Sequence, residues 1–128
     1  MAAPVGGDEP RRADVVGHAG RGLTPTAVAL ATDHVFFSVG LHRMEICIRP
    51  ENAASLRVVE KLGFRYEGLR RRYIHINNDW RDHFCFALTV EEVPTGVLQR
   101  WRAGRVPAGA ATVPEADLIA ARRGLPLP

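Results

Sequence analysis

With 128 residues the chain has room for one domain and not for two. Its apolar content is that of an ordinary globular protein, and no run reaches the roughly 20 apolar residues that a membrane span requires. The net charge of +3, carried largely by arginine, points only weakly to an anionic partner: a pyrophosphate-bearing ligand, a nucleic acid and plain solubility each account for it.

In chain order, residues 1 to 16 show no periodicity and read as an irregular N-terminal segment. Gly6-Gly7-Asp8-Glu9-Pro10 interrupts any apolar core of a signal peptide, so a cytoplasmic protein is expected. A folded unit is expected over 17–101. It opens with Gly20-Arg21-Gly22 and runs into a helix over Leu23–Val39, where Leu23, Ala27, Leu30, His34 and Phe37 recur at helical spacing. Pro25 suits the first turn, which has no intrahelical use for its missing N–H. Gly40-Leu41 is a C-cap signal, because glycine takes the left-handed conformation and the next apolar residue folds back.

Arg43 to Arg49 alternates, with Met44, Ile46 and Ile48 on one side, and predicts a strand. Asn52 is a natural N-cap for a helix from Ala53 to Leu62, which Gly63-Phe64 closes. Phe64–Ile76, with a break at Gly68, and His83–Val90 predict two strands. Asn77-Asn78-Asp79 between them makes an antiparallel hairpin. Residues 102–128 form a tail rich in Ala, Pro and Arg, flexible or with a short, loosely packed helix over Pro114–Arg123.

Cys47 and Cys85 each fall in a predicted strand and are expected as buried free thiols rather than a disulfide. With the five histidines they show no zinc-type spacing, so no metal is expected.

Two segments carry chemistry. Gly20-Arg21-Gly22 lies at a helix start, where glycine admits close backbone approach and free N–H groups with the helix dipole favour an anion. Alone it reads better as an ordinary tight turn into the helix. In Asn52-Ala53-Ala54-Ser55 the asparagine is explained by capping, whereas Ser55 is not. Arg70-Arg71-Arg72-Tyr73 with Trp80 and Arg81 admits a nucleic-acid surface, though a solvated hairpin face is the better reading. Ser55 with Asp82-His83 does not make a hydrolase triad, because no nucleophile elbow surrounds the serine.

Taken together, Gly20-Arg21-Gly22-Leu23-Thr24, then Ile48-Arg49-Pro50-Glu51-Asn52-Ala53-Ala54-Ser55, then Lys61-Leu62-Gly63-Phe64-Arg65-Tyr66-Glu67-Gly68 resemble the GNAT superfamily of N-acetyltransferases. Asn77-Asn78-Asp79-Trp80-Arg81-Asp82-His83 looks like its ribosomal-protein-alanine N-acetyltransferase branch. The resemblance covers about Gly17 to Trp101, the C-terminal half of such a domain. It implies an α/β fold: a partial GNAT sheet of mixed direction, two main helices and a C-terminal antiparallel pair. It also implies acetyl-CoA as donor and a primary amine as acceptor, down to the N-terminal residue of a ribosomal protein. By the same resemblance Gly20, Arg21, Gly22, Leu23 and Thr24 would hold the CoA pyrophosphate. Asn52 would meet the pantetheine arm, and Ser55 would protonate the departing thiolate.

The sequence departs from the family pattern in places. Gly17 stands where a Gln or Arg is usual, Val59 where many relatives carry a tyrosine acid, and Arg70–His75 where some carry a glutamate base. His75 is then the candidate proton relay, since an imidazole titrates near neutrality. With only Asp14-Val15-Val16 before Gly17, the family's N-terminal half is expected to be missing. Apolar surface on Met44, Ile46, Ile48 or Phe84 is then expected to lie uncovered, inviting a homodimer or another partner. The alternative function is a catalytically impaired remnant that binds CoA or a partner protein.

Overall fold

The computed structural model describes residues 12–16, 24–76 and 79–124. Among the described residues four strands and four α-helices follow one another: β1 (Arg12–Val16), α1 (Pro25–Asp33), β2 (Arg43–Ile48), α2 (Ala53–Leu62), β3 (Arg65–Ile76), β4 (Asp79–Thr89), α3 (Val97–Arg102) and α4 (Glu115–Gly124). The strands form one mixed sheet in the order β1-β2-β4-β3. β1 runs parallel to β2, and β4 runs antiparallel to both β2 and β3. The α/β class, the mixed sheet and the C-terminal antiparallel pair are as the sequence implies.

β1 corrects the reading of residues 1 to 16 as irregular throughout. Arg12–Val16 pairs in register with Arg43–Cys47. Five residues without apolar alternation give no strand signal of their own, and the ladder offered by β2 decides their conformation.

α1 begins as its sequence dictates. Thr24 accepts a hydrogen bond from the Ala27 N–H at 3.1 Å, and Pro25 occupies the first turn. Beyond Asp33 the helix widens into a π-helix, His34–Val39, that ends at Gly40 with φ of +86°. The Leu41 N–H reaches back to the Val35 carbonyl at 3.0 Å, the expected C-cap. The buried face is not the predicted one. Val28, Ala29, Thr32 and Phe36 face the core, while Leu30 and Phe37 stay half exposed, at 53% and 51%. Val28, Ala29 and Leu30 are consecutive apolar residues, so two stripes compete, and the one with the small Ala29 lies closest against the sheet. Thr32 is tolerated inside because its hydroxyl donates to the Val28 carbonyl at 2.8 Å.

β2 is buried on both faces from Met44 to Ile48. Met44, Ile46 and Ile48 pack on Val58, Val59 and Leu62 of α2 and on Phe84, Phe86 and Leu88 of β4 in a single core. The expectation of uncovered surface on Met44, Ile46, Ile48 and Phe84 is therefore corrected: none exceeds 3% exposure, because α1 and α2 both lie over this face.

The β3–β4 hairpin forms as predicted, with Asn77 and Asn78 outside the described residues. β3 carries register shifts at Tyr66/Gly68 and Arg70/Ile74. At the second, Arg72 takes φ of +49°, and its N–H is received by the Asp82 carboxylate at 2.8 Å. The tail also differs from the expected loose one. The Tyr66 N–H donates to the Ala110 carbonyl, the Tyr66 hydroxyl donates to Asp117 of α4 at 2.6 Å, and Ala121 is fully covered.

Gly63 ends α2 at φ of +76°, and both its own N–H and that of Phe64 return to the Val59 carbonyl. A Cβ here would stand 2.6 Å from Val106 Cγ1 and 2.9 Å from Arg100 Nη2. Backbone strain and crowding therefore act together, and Gly63→Ala is expected to cost about 1–3 kcal/mol in a denaturant unfolding curve. Gly104→Ala, also at positive φ but with open space around it, should cost less.

Candidate active site

The parallel pairing of β1 and β2 places their carboxyl ends on one side of the sheet. α1 starts beyond one and α2 beyond the other. Between the first turns of these helices and the face of β2 lies a cavity of about 240 Å³. Its walls are Ala27, Val28 and Ala31 of α1, Met44, Ile46 and Ile48 of β2, and Ser55, Val58 and Val59 of α2. Ser55 brings the one hydroxyl to an otherwise aliphatic lining.

Asn52 and Ser55 are buried, at 8% and 1% exposure. The Asn52 carbonyl oxygen accepts the Ser55 N–H at 3.2 Å, the capping bond that fixes the start of α2. The other halves of both side chains, Asn52 Nδ2 and Ser55 Oγ, are buried without a hydrogen-bond partner. They belong to a pattern. Among the described residues seven buried side-chain atoms are so placed, and six lie on Arg49, Asn52, Ser55, Arg81, Asp82 and His83. Since Ile48 pairs with Phe84, Arg49 and His83 come next to each other in the ladder. By strand alternation Arg49, Arg81 and His83 lie on the face that carries Cys47 and Cys85, whereas Ser55 lines the cavity on the face of Met44, Ile46 and Ile48. Buried groups of this kind cost about 1–3 kcal/mol each when unmet, and the two at the start of α2 mark a binding site better than a core.

Of the other sequence candidates, Thr24 caps α1, while Gly20, Arg21, Gly22 and Leu23 lie outside the described residues. His75 is exposed on β3, tilted against the ring of Trp80 with centroids 5.2 Å apart. Trp80 is 55% exposed. Arg70 turns inward from the basic run, onto Glu45 at 3.1 Å and onto the Tyr73 hydroxyl at 2.9 Å.

Among the described residues the buried imidazole is His83, at 0% exposure. Its Nδ1 lies 3.1 Å from the Arg81 carbonyl, which fixes the proton on Nδ1 and leaves the Nε2 lone pair unmet. The Tyr73 ring stands edge-on to it at 5.7 Å. Sequence reading notes His83 only as part of a rejected triad. The signal was available in the alternation of β4, which puts His83 on the same side as Cys85 and Ala87. Asp82 turns to the Arg72 N–H instead of to His83, so no triad forms.

Residues 14–65 match the family model described as "Acetyltransferase (GNAT) domain". The chain is 42% identical over 71 residues to the probable N-acetyltransferase YjcK of Bacillus subtilis, covering 56% of this chain and 39% of that protein. It is 32% identical over 77 residues to the [ribosomal protein uS5]-alanine N-acetyltransferase of Escherichia coli, covering 60% and 40%. Among solved structures, RimJ of Mycobacterium smegmatis in complex with CoA-disulfide superposes with a TM-score of 0.58 at 45% identity, covering 63% of this chain and 39% of that one. Over this stretch the chain is similar to GNAT acetyltransferases. It spans about two fifths of the length of the relatives it matches.

Burial chiefly lowers the pKa of His83, and the positive charge of Arg49 adds to it, against the opposing effects of the Arg81 carbonyl, Glu51 and Asp82. A folded pKa below the unfolded value of about 6.5 means that the unfolded chain takes up a proton the folded chain refuses. This contribution to stability is therefore complete above about pH 6.5 and is lost as the pH falls from there through the folded pKa. Denaturant midpoints measured from pH 8 to 5 should fall with pH, and His83→Gln should flatten that slope.

Proposed function

We propose that this chain carries the acetyl-CoA-binding half of an N-acetyltransferase that passes the acetyl group to a primary amine. The observation that carries the reading is Ser55: a buried hydroxyl without a hydrogen-bond partner on an aliphatic cavity, at the first turn of a helix. The cavity suits the apolar pantetheine arm of CoA, and the unmet Asn52 Nδ2 is a donor for one of its amide carbonyls. Gly20, Arg21, Gly22, Leu23 and Thr24, at the start of α1, would take the pyrophosphate through backbone N–H groups and the positive end of the helix dipole.

In the reaction the neutral amine attacks the thioester carbonyl carbon. The C–S bond then breaks, the amine nitrogen gives up a proton, and the Ser55 hydroxyl donates one to the leaving thiolate. Likeness to the ribosomal-protein-alanine enzyme supports a protein N-terminus as acceptor, and with it action in the cytoplasm, where donor and ribosomal acceptor both reside. The aliphatic lining leaves Ser55 as the side-chain proton donor of the cavity, so the proton on the incoming amine must leave by another route. His75, exposed beside Trp80, does not supply it from its present position.

Isothermal titration of the folded chain with acetyl-CoA tests the donor site. Saturable binding is expected, abolished by Gly22→Glu and retained by Ser55→Ala. With an amine acceptor present, Ser55→Ala should lower kcat roughly 100-fold without raising the KM for acetyl-CoA. A folded chain that does not bind acetyl-CoA overturns the reading. One that binds without turnover is instead a CoA-binding remnant.

A further inference from the structure

The face of the sheet opposite the cavity carries a feature that acetyl transfer does not use. Cys47 on β2 and Cys85 on β4 are directly opposed in the antiparallel ladder. Opposed residues in such a ladder have Cα atoms about 4.5–5.5 Å apart, inside the roughly 4.4–6.8 Å range of bridged cysteines. The two sulfurs already lie 3.0 Å apart. A disulfide measures about 2.0 Å, so closing the bond takes about 1 Å of side-chain movement and no shift of either strand. Both thiols are buried, at 1% and 2% exposure. Arg70 Nη1 stands 3.9 Å from the Cys47 sulfur. A metal is a poor occupant, since among the described residues no third ligating side chain joins the pair.

We propose that Cys47 and Cys85 form a cross-strand redox site, a dithiol that a small disulfide oxidant converts into a cystine joining β2 to β4. The Cys47 thiolate attacks one sulfur of the oxidant and releases its first thiol. The Cys85 sulfur then attacks the mixed disulfide at Cys47 and releases the second. One oxidant disulfide is reduced to two thiols, the two cysteines lose two electrons and two protons, and a single S–S bond forms. Because both sulfurs are covered, exchange proceeds while the chain folds or through local opening, and the folded sheet then shields the product from reductant. The bridge closes a long loop, with the cysteines 38 residues apart and α2 and β3 between them. It therefore restrains the unfolded chain far more than the folded one.

The full chain is equilibrated in buffers of graded glutathione disulfide to glutathione ratio, with and without denaturant. Free thiols are then trapped by alkylation and the peptides mapped by mass. The native chain should yield an intramolecular Cys47–Cys85 cystine, half formed in a buffer roughly 100-fold to 1,000-fold more reducing than the unfolded chain requires. The bridged chain should melt roughly 10 °C higher than the reduced one. Cys85→Ala, with its fold checked by circular dichroism, gives the baseline without a bridge. A native chain that needs as oxidising a buffer as the unfolded one overturns the proposal. So do glutathione adducts in place of the cystine, or a bridge that lowers the melting temperature.

Discussion

The rest of the structure depends on β2 being an interior strand. It is paired on both edges and buried on both faces, so every side chain from Met44 to Ile48 must be matched inside the protein. One face is simple, because Met44, Ile46 and Ile48 join the aliphatic and aromatic core. The other carries Glu45 at 3% exposure, a carboxylate too costly to bury alone. Arg43 meets it at 2.8 Å from its own strand, and Arg70 meets it at 3.1 Å from β3, two strands away. To arrive there the Arg70 side chain crosses β4, leaning on the Tyr73 ring at 4.9 Å and passing the Cys47 sulfur. A buried carboxylate between two guanidinium groups is a poor source of net stability, yet breaking it by removing one partner costs about 3–5 kcal/mol. Its effect is to hold β3, β4 and β2 in one register.

That register is what assembles the candidate site. With β2 fixed, the short Pro50-Glu51 connection leaves Asn52 little choice of position, and the Asn52–Ser55 capping bond sets the direction of α2. The far end of α2 is anchored separately. Arg100 of α3 donates to the Leu62 carbonyl at 2.7 Å, and α3 is itself held by Asp33 of α1, whose carboxylate accepts the Val97 and Leu98 N–H groups. α1, α2 and α3 are thereby tied to one another through hydrogen bonds at their ends, which keeps open the aliphatic gap between the first two. The widening of α1 at His34–Val39 belongs to the same arrangement, since it turns Phe36 under the sheet while Asp33 stays aligned with α3.

Much of this was legible in the residues. Gly40, Asn52 and Gly63 mark helix ends because only a few residue types satisfy those backbone geometries, and all three act as read. The alternation of Arg43–Arg49 names the right core face of β2. What was illegible depends on partners distant in sequence. β1 is a strand because β2 offers it a ladder. Leu30 and Phe37 are outside because Val28, Ala29 and Phe36 fit the sheet better, a comparison of shapes that periodicity does not contain. Asn52 and Ser55 could be read as a pair from the capping pattern and the family resemblance. The placing of Arg49 next to His83 required the β2–β4 register, and a histidine in a strand gives no sign of its burial until that register is known.

The topology also explains why the polar groups collect at one end. Parallel strands joined through a helix present their carboxyl ends together, and open α/β sheets bind ligands just outside those ends. Here β1 and β2 are such a pair, and each hands the chain to a helix, so two helix N-termini converge on one side of the sheet. Their surroundings differ. The start of α1 is exposed at Thr24, which suits a hydrated anion. The start of α2 is buried, closed by an uncharged asparagine and lined with aliphatic side chains, which suits a neutral, weakly polar group. In the proposed reading the pyrophosphate and the thioester of one donor molecule meet these two environments in turn. The separation of charge from chemistry then follows from how deeply each helix start lies against β2.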